Sequence, residues 1–128
     1  MLICPKKYLT QSDSGGDLLR IHCQEPWFSK IRAGIKTIEG RNYSDKYAQL
    51  QPGDLLEFYF NDQSFMTEVI KVKSYPTLEE YLEIEGYEKV LPGVTSFQEA
   101  MDIYLQYNSR AELEQAGRFL AIHVKVRR

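Results

Sequence analysis

A chain of 128 residues fits one domain and leaves little room for two. Its 43% apolar and 27% charged residues are ordinary for a globular domain, and its net charge of −2 argues against coating long nucleic acid by bulk attraction. No stretch approaches the roughly 20 apolar residues of a membrane-spanning helix, and the apolar run that starts at Met1 is too short for a signal peptide. No membrane association is expected, and a cytoplasmic or nuclear location is. Cys4 and Cys23 lack the paired spacing of a zinc site, so no metal and no cofactor are expected, and both thiols read as free in a reducing compartment.

Residues 1–17 end in a polar, Gly-rich break and read as a flexible segment before a folded domain over 18–128. Residues 18–24 alternate, with Leu19, Ile21 and Cys23 on one face and Arg20, His22 and Gln24 on the other, which predicts a half-buried strand. Glu25-Pro26 opens a short helix with Trp27, Phe28 and Ile31 at helical spacing, and Gly34 ends it. A strand over 35–41 would put Ile35, Thr37, Glu39 and Arg41 on one face and Lys36, Ile38 and Gly40 on the other, unless Gly40 marks a bulge.

The turn Gln51-Pro52-Gly53-Asp54 leads into a strand with Leu56, Phe58 and Phe60 on one face. Asn61-Asp62 then turns into a long strand from about Phe65 to Tyr75. A helix starting at Pro76 or Thr77 carries Leu78, Tyr81 and Leu82 up to Gly86. Ser96 with Glu99 forms a capping box ahead of a stripe of Phe97, Ala100, Met101, Tyr104 and Tyr107, which reads as packing. A further helical turn or two fits 110–116, Gly117 stops it, and Leu120, Ile122, Val124 and Val126 form one face of the last strand. Alternating rather than continuous apolar runs predict a mixed or antiparallel sheet with one wet face. The order describes an α+β domain, a small, partly open barrel with helices at its gaps.

The densest chemistry lies in Gly34-Ile35-Lys36-Thr37-Ile38-Glu39-Gly40-Arg41. Glu39 and Arg41 on one strand side form a bidentate pair or jointly face a ligand. His22 and His123 would meet near the same cleft if their strands pair. Trp27, Tyr43 and Tyr47 are candidates to stack on an unpaired base, although the spacing of Trp27 fits the core equally. Lys46, in the loop past this stretch, is a candidate to close over a phosphate.

The stretch resembles the Gly-x-Lys-x-x-Glu-x-Arg signature of the ASCH domain family, relatives of the PUA-like RNA-binding barrels. His22-Cys23-Gln24-Glu25-Pro26-Trp27-Phe28 is similar to the strand-to-helix entry of that family, and Lys46-Tyr47 followed by Gln51-Pro52-Gly53-Asp54 also looks similar. The resemblance covers roughly 18–126. It implies a PUA-like mixed β-barrel of five to six strands with peripheral helices and a cleft lined by the signature residues.

Three functions follow as expectations. The first is binding of RNA, single-stranded nucleic acid or a modified nucleotide through Lys36, Glu39, Arg41, His22, Trp27, Tyr43 and Lys46. The second is a hydrolase resembling the acetylcytidine amidohydrolases or ribonucleases, with Lys36, Glu39 and Glu85 as catalytic candidates. In those amidohydrolases a Lys corresponds to Lys36, but a Thr stands where this chain has Glu39, and Glu85 is the guess for their catalytic carboxylate. The third is a cleft for a protein partner.

Overall fold

The computed structural model describes residues 18–128, and the expectations for 1–17, including Cys4, lie outside the described residues. The chain runs β1 (Leu18–His22), α1 (Trp27–Arg32), β2 (Ile38–Asn42), α2 (Asp45–Ala48), β3 (Leu55–Phe60), β4 (Gln63–Tyr75), α3 (Leu78–Glu85), α4 (Tyr87–Val90), α5 (Phe97–Tyr107), α6 (Arg110–Ala116) and β5 (Phe119–Val126). The five strands form one mixed sheet in the order β1-β3-β4-β5-β2. β1 lies parallel to β3, while β3–β4, β4–β5 and β2–β5 are antiparallel. The sheet curls into a half-barrel, the partly open barrel that the alternating strands predict and the PUA-like architecture that the resemblance implies.

Alternation explains why the sheet curls around a core. Leu19 and Ile21 of β1, Leu56 and Phe58 of β3 and Leu120, Ile122 and Val124 of β5 point into one cluster, which Phe28 and Ile31 of α1 close over. Phe28 is 0% exposed, and burying such a side chain stabilises the fold by roughly 1.5–3 kcal/mol. A second cluster lies behind β2 and β5, where Ile38, Phe119 and Ala121 meet Tyr81, Leu82, Ala100, Met101 and Tyr104 of the helices. β5 is therefore buried on both faces, and only its Leu120 face was expected to be. Trp27 packs against both clusters and marks their junction.

The helix ends follow from their caps. The Thr77 hydroxyl accepts from Glu80 N–H at the start of α3 and the Ser96 hydroxyl from Glu99 N–H at the start of α5. The Glu99 carboxylate turns to Thr95 instead of closing the expected box on Ser96. A complete capping box occurs at Ser109 and Glu112 of α6. α1 begins at Trp27 with Pro26 as its cap, one residue later than the expected Pro-first start, and the Glu25 carboxylate accepts from the Ser29 N–H and hydroxyl.

Two expectations about the signature stretch change. Gly40 is not a bulge, since it sits in regular register opposite Ala121, and the irregularity lies instead between Val69 and Lys71 on β4. Lys36 is not in the strand. Ile35 and Lys36 N–H both bond the Lys30 carbonyl, so the chain is still turning off α1 there, and β2 begins at Ile38. Two-residue alternation therefore does not govern Lys36. Among the described residues no helix is long and apolar enough to cross a membrane.

Candidate functional site

β1 and β2 are the two edges of the sheet, and the described strands leave a seam between them. A cleft of about 270 Å³ opens at this seam, walled by His22, Cys23 and Trp27 on one side, by Leu91, Ile103, Tyr104, Tyr107 and Asn108 on another, and floored by Lys36, Glu39, Gly40 and Arg41. Arg41 spans the seam, because its Nη2 donates to the His22 carbonyl at 2.6 Å.

The floor is an ionic cluster. Arg41 Nε and Nη2 approach Glu39 Oε2 at 2.8 and 2.7 Å, and Lys36 Nζ lies 3.7 Å from the other carboxylate oxygen. The Lys36 ammonium also donates to the carbonyls of Ile38 and Val90, so its hydrogens have acceptors although the residue is 2% exposed. Burial pushes the Lys36 amine below its ordinary value, with the Glu39 carboxylate pulling the other way. Burial alone would lower Arg41 as well, but Glu39 more than offsets it and the guanidinium stays raised. With all three ionised, two cations face one carboxylate, and the floor carries one surplus positive charge.

The walls are aromatic. Trp27 is half-buried, with Lys30 Nζ 5.3 Å and Lys36 Nζ 5.9 Å from its ring. Lys30 also donates to the Pro92 carbonyl at 2.6 Å and ties α1 to the segment after α4. Tyr104 is buried and shares a 2.7 Å hydroxyl–hydroxyl bond with Tyr81, whereas Tyr107, at the end of α5, is exposed. Cys23 lines the cleft as an inert thiol, pushed up to about 12 by burial and then by the Glu39 carboxylate.

The expected site residues divide cleanly. Lys36, Glu39, Arg41, His22 and Trp27 come together in the cleft. Tyr43, Lys46 and Tyr47 do not line it. Tyr43 N–H bonds the Arg118 carbonyl, so the chain follows the start of β5 away from the seam, and α2 carries Tyr47 into the first core cluster with Lys46 Nζ 5.0 Å from its ring. The stripe on α5, read as packing alone, supplies Tyr104 and Tyr107 to the cleft, and the late position of Tyr107 on an amphipathic helix was the available signal.

The family model of the ASCH domain matches residues 21–125. The chain belongs to the ASCH domain family. Among solved structures it is similar to the crystal structure of the hypothetical protein PH0355, at 34% identity and a TM-score of 0.76 over 86% of this chain and 99% of that one. It is also similar to the solution NMR structure of protein PF0455 from Pyrococcus furiosus, at 31% identity and a TM-score of 0.68 over 85% of this chain and 96% of that one. No curated protein matches it. The ASCH family is generally associated with RNA binding.

Charged groups also gather away from the cleft of this ASCH domain. A hollow of about 580 Å³ between α3 and α6 includes Glu79, Arg110 and Arg118, but Arg110 pairs with Glu79 at 3.0 Å and Arg118 with the Ser74 hydroxyl at 2.5 Å. Glu85 also lies outside the cleft lining, at the end of α3. Its carboxylate accepts from the Tyr75 hydroxyl at 2.5 Å and stands 3.1 Å from His123 Nε2. His22 and His123 do not meet, because β3 and β4 separate β1 from β5 in the sheet.

Burial pushes the Glu85 carboxyl up, but the Tyr75 hydroxyl and the His123 ring outweigh it and hold the group below its ordinary value of 4.5. Tyr75 is pushed up to about 12 by burial and the same contact. A carboxyl depressed in the folded state stabilises it above the unfolded value, and that stability is lost as pH falls through the folded value. Glu85→Gln is therefore expected to lower the melting temperature at neutral pH, with the gap to the parent closing below about pH 4.5. Thermal melts across that range check this, and a gap that stays constant with pH contradicts it.

Proposed function

We propose that the cleft binds a single unpaired base of RNA or a free nucleotide, held between the aromatic walls and the ionic floor. The observation that carries this is the meeting of Trp27 and Tyr107 with Glu39 and Arg41 in a hollow of about 270 Å³. That volume falls below the roughly 300–1,000 Å³ of pockets for drug-sized ligands, so it suits one base and excludes a duplex. Aromatic rings accept the face of any unstacked base. A carboxylate at the edge accepts from an exocyclic amine such as cytosine N4. The Arg41 guanidinium, kept charged by Glu39, suits the carbonyl edge of the base or its phosphate.

The geometry supports binding better than hydrolysis. Depression of the Lys36 amine by burial is the one feature that favours a hydrolase. Against it, Lys36 is 2% exposed and already bonded to the Ile38 and Val90 carbonyls, and of the two candidate carboxylates Glu85 lies at a separate place while Glu39 is held by Arg41.

The protein has one tryptophan, so fluorescence reports on the cleft directly. Cytidine monophosphate or a short cytidine-containing RNA is expected to change Trp27 emission saturably. Arg41→Ala is expected to weaken binding roughly 10- to 100-fold, as loss of a charged hydrogen bond does. Binding by the parent is expected to weaken with salt, at a slope of about 0.7 per phosphate contact. Unchanged emission with every nucleotide and short RNA, or full affinity in Arg41→Ala, contradicts the reading.

A further inference from the structure

We infer that the outer face of β1 and β3 beside the cleft is a second subsite, on which the neighbouring nucleotide of the same RNA strand stacks against Tyr59 and Arg20. The inference rests on the single-base reading of the cleft and extends it.

The sheet register creates the subsite. β1 and β3 run parallel with Arg20 opposite Glu57 and His22 opposite Tyr59. Leu19, Ile21, Leu56 and Phe58 point into the core, so Arg20, His22, Glu57 and Tyr59 share the outer face. His22 belongs to both places. It lines the cleft, and its ring stands 5.4 Å from the Tyr59 ring in an edge-to-face arrangement. Arg20 Cζ lies 4.2 Å from the Tyr59 ring centroid. A row of His22, Tyr59 and Arg20 thus leads outward from the mouth of the cleft.

The row is held in place rather than loose. Arg20 Nε bonds Glu57 Oε1 at 3.0 Å, which fixes the guanidinium against Tyr59 while its side chain remains 54% exposed. A long cationic side chain fixed on an aromatic ring and still open to water has already lost much of its rotamer freedom. Ordering it on a ligand therefore costs little, and guanidinium planes and aromatic rings are the surfaces on which unstacked bases lie. The Glu57 carboxylate balances the Arg20 charge, so the row favours the face of a base over a bare phosphate.

The occupant follows from dimensions. A cleft sized for one base forces the next nucleotide of a strand outside it. Tyr59 is in direct ring contact with His22 of the cleft wall, so the row begins where that nucleotide leaves the cleft. The competing exit passes Tyr107, which is also exposed at the cleft.

Cytidine monophosphate and the trinucleotide CpCpC, each titrated against Trp27 emission, separate the subsites. Tyr59→Ala is expected to weaken trinucleotide binding roughly 5- to 100-fold, while the mononucleotide changes by no more than about twofold. Arg20→Gln, at a more exposed position, is expected to act in the same direction and guards against a folding defect in Tyr59→Ala. Equal affinity of the parent for the two ligands, equal losses for both in the variants, or a trinucleotide-specific loss in Tyr107→Ala instead overturns the subsite and leaves the cleft reading intact. A trinucleotide that binds and depends on Tyr59 while the mononucleotide fails to bind removes the single-base reading, and with it the second subsite built on it. Failure of both ligands to bind the parent removes both.

Discussion

Gly40→Ala is expected to destabilise the fold by about 3 kcal/mol and to lower the melting temperature by about 10 °C. A Cβ at this position would stand 2.5 Å from the Tyr81 hydroxyl oxygen, 2.7 Å from Tyr81 Cζ and 2.8 Å from Phe119 Cε2. These rings have no room to retreat. Tyr81 is 0% and Phe119 1% exposed, and the Tyr81 hydroxyl is bound to Tyr104. Relief must come from shifting β2 or displacing the tyrosine pair. Tyr104 also lines the cleft, so nucleotide affinity should fall together with stability. Circular dichroism melts test the first effect and Trp27 titrations the second. A melting temperature within about 2 °C of the parent contradicts the close-packing argument.

Glu39→Ala is expected to cost about 3 kcal/mol, at the low end for breaking a buried ion pair because Arg41 reaches water in part. The loss comes less from the missing contact than from what stays behind. The Lys36 amine would lose the carboxylate that raises it and face the Arg41 guanidinium with no counter-charge, and it is too deeply buried to rehydrate. The cations are coupled through Glu39, so the double variant Lys36→Met/Glu39→Ala should be less damaged than the sum of its single changes, by about 1–3 kcal/mol. Urea unfolding of the four proteins in that cycle measures the coupling. Strict additivity would mean that Lys36 and Glu39 act independently despite their 3.7 Å separation.

What was legible in the sequence follows from physical range. The alternation of Leu19, Ile21 and Cys23, and of Leu120, Ile122 and Val124, located strands and their inward faces, because the two-residue period is a local property of extended backbone. The six-residue span from Lys36 to Arg41 likewise brought the ionic floor within reach. Properties set by distant pairing were not legible. Nothing near β1 says that it runs parallel to β3, and nothing near His123 says that two strands separate it from His22. The partner of Lys36 at Val90 lies 54 residues away. The need for glycine at position 40 also comes from afar, since Tyr81 and Phe119 set it and local turn geometry does not. Tyr104 was read correctly as buried, and its second role at the cleft wall depends on where α5 ends.

The Arg41 link to the His22 carbonyl has a consequence for the sheet as a whole. β1 and β2 stand at opposite margins of the strand order, and the cleft occupies the gap where a closed barrel would have another rung. A molecule seated there would touch both margins at once and act as a clasp. Ligand capture and ring closure then become one thermodynamic event, and the protein should gain rigidity along its two outermost strands in proportion to how fully it is occupied.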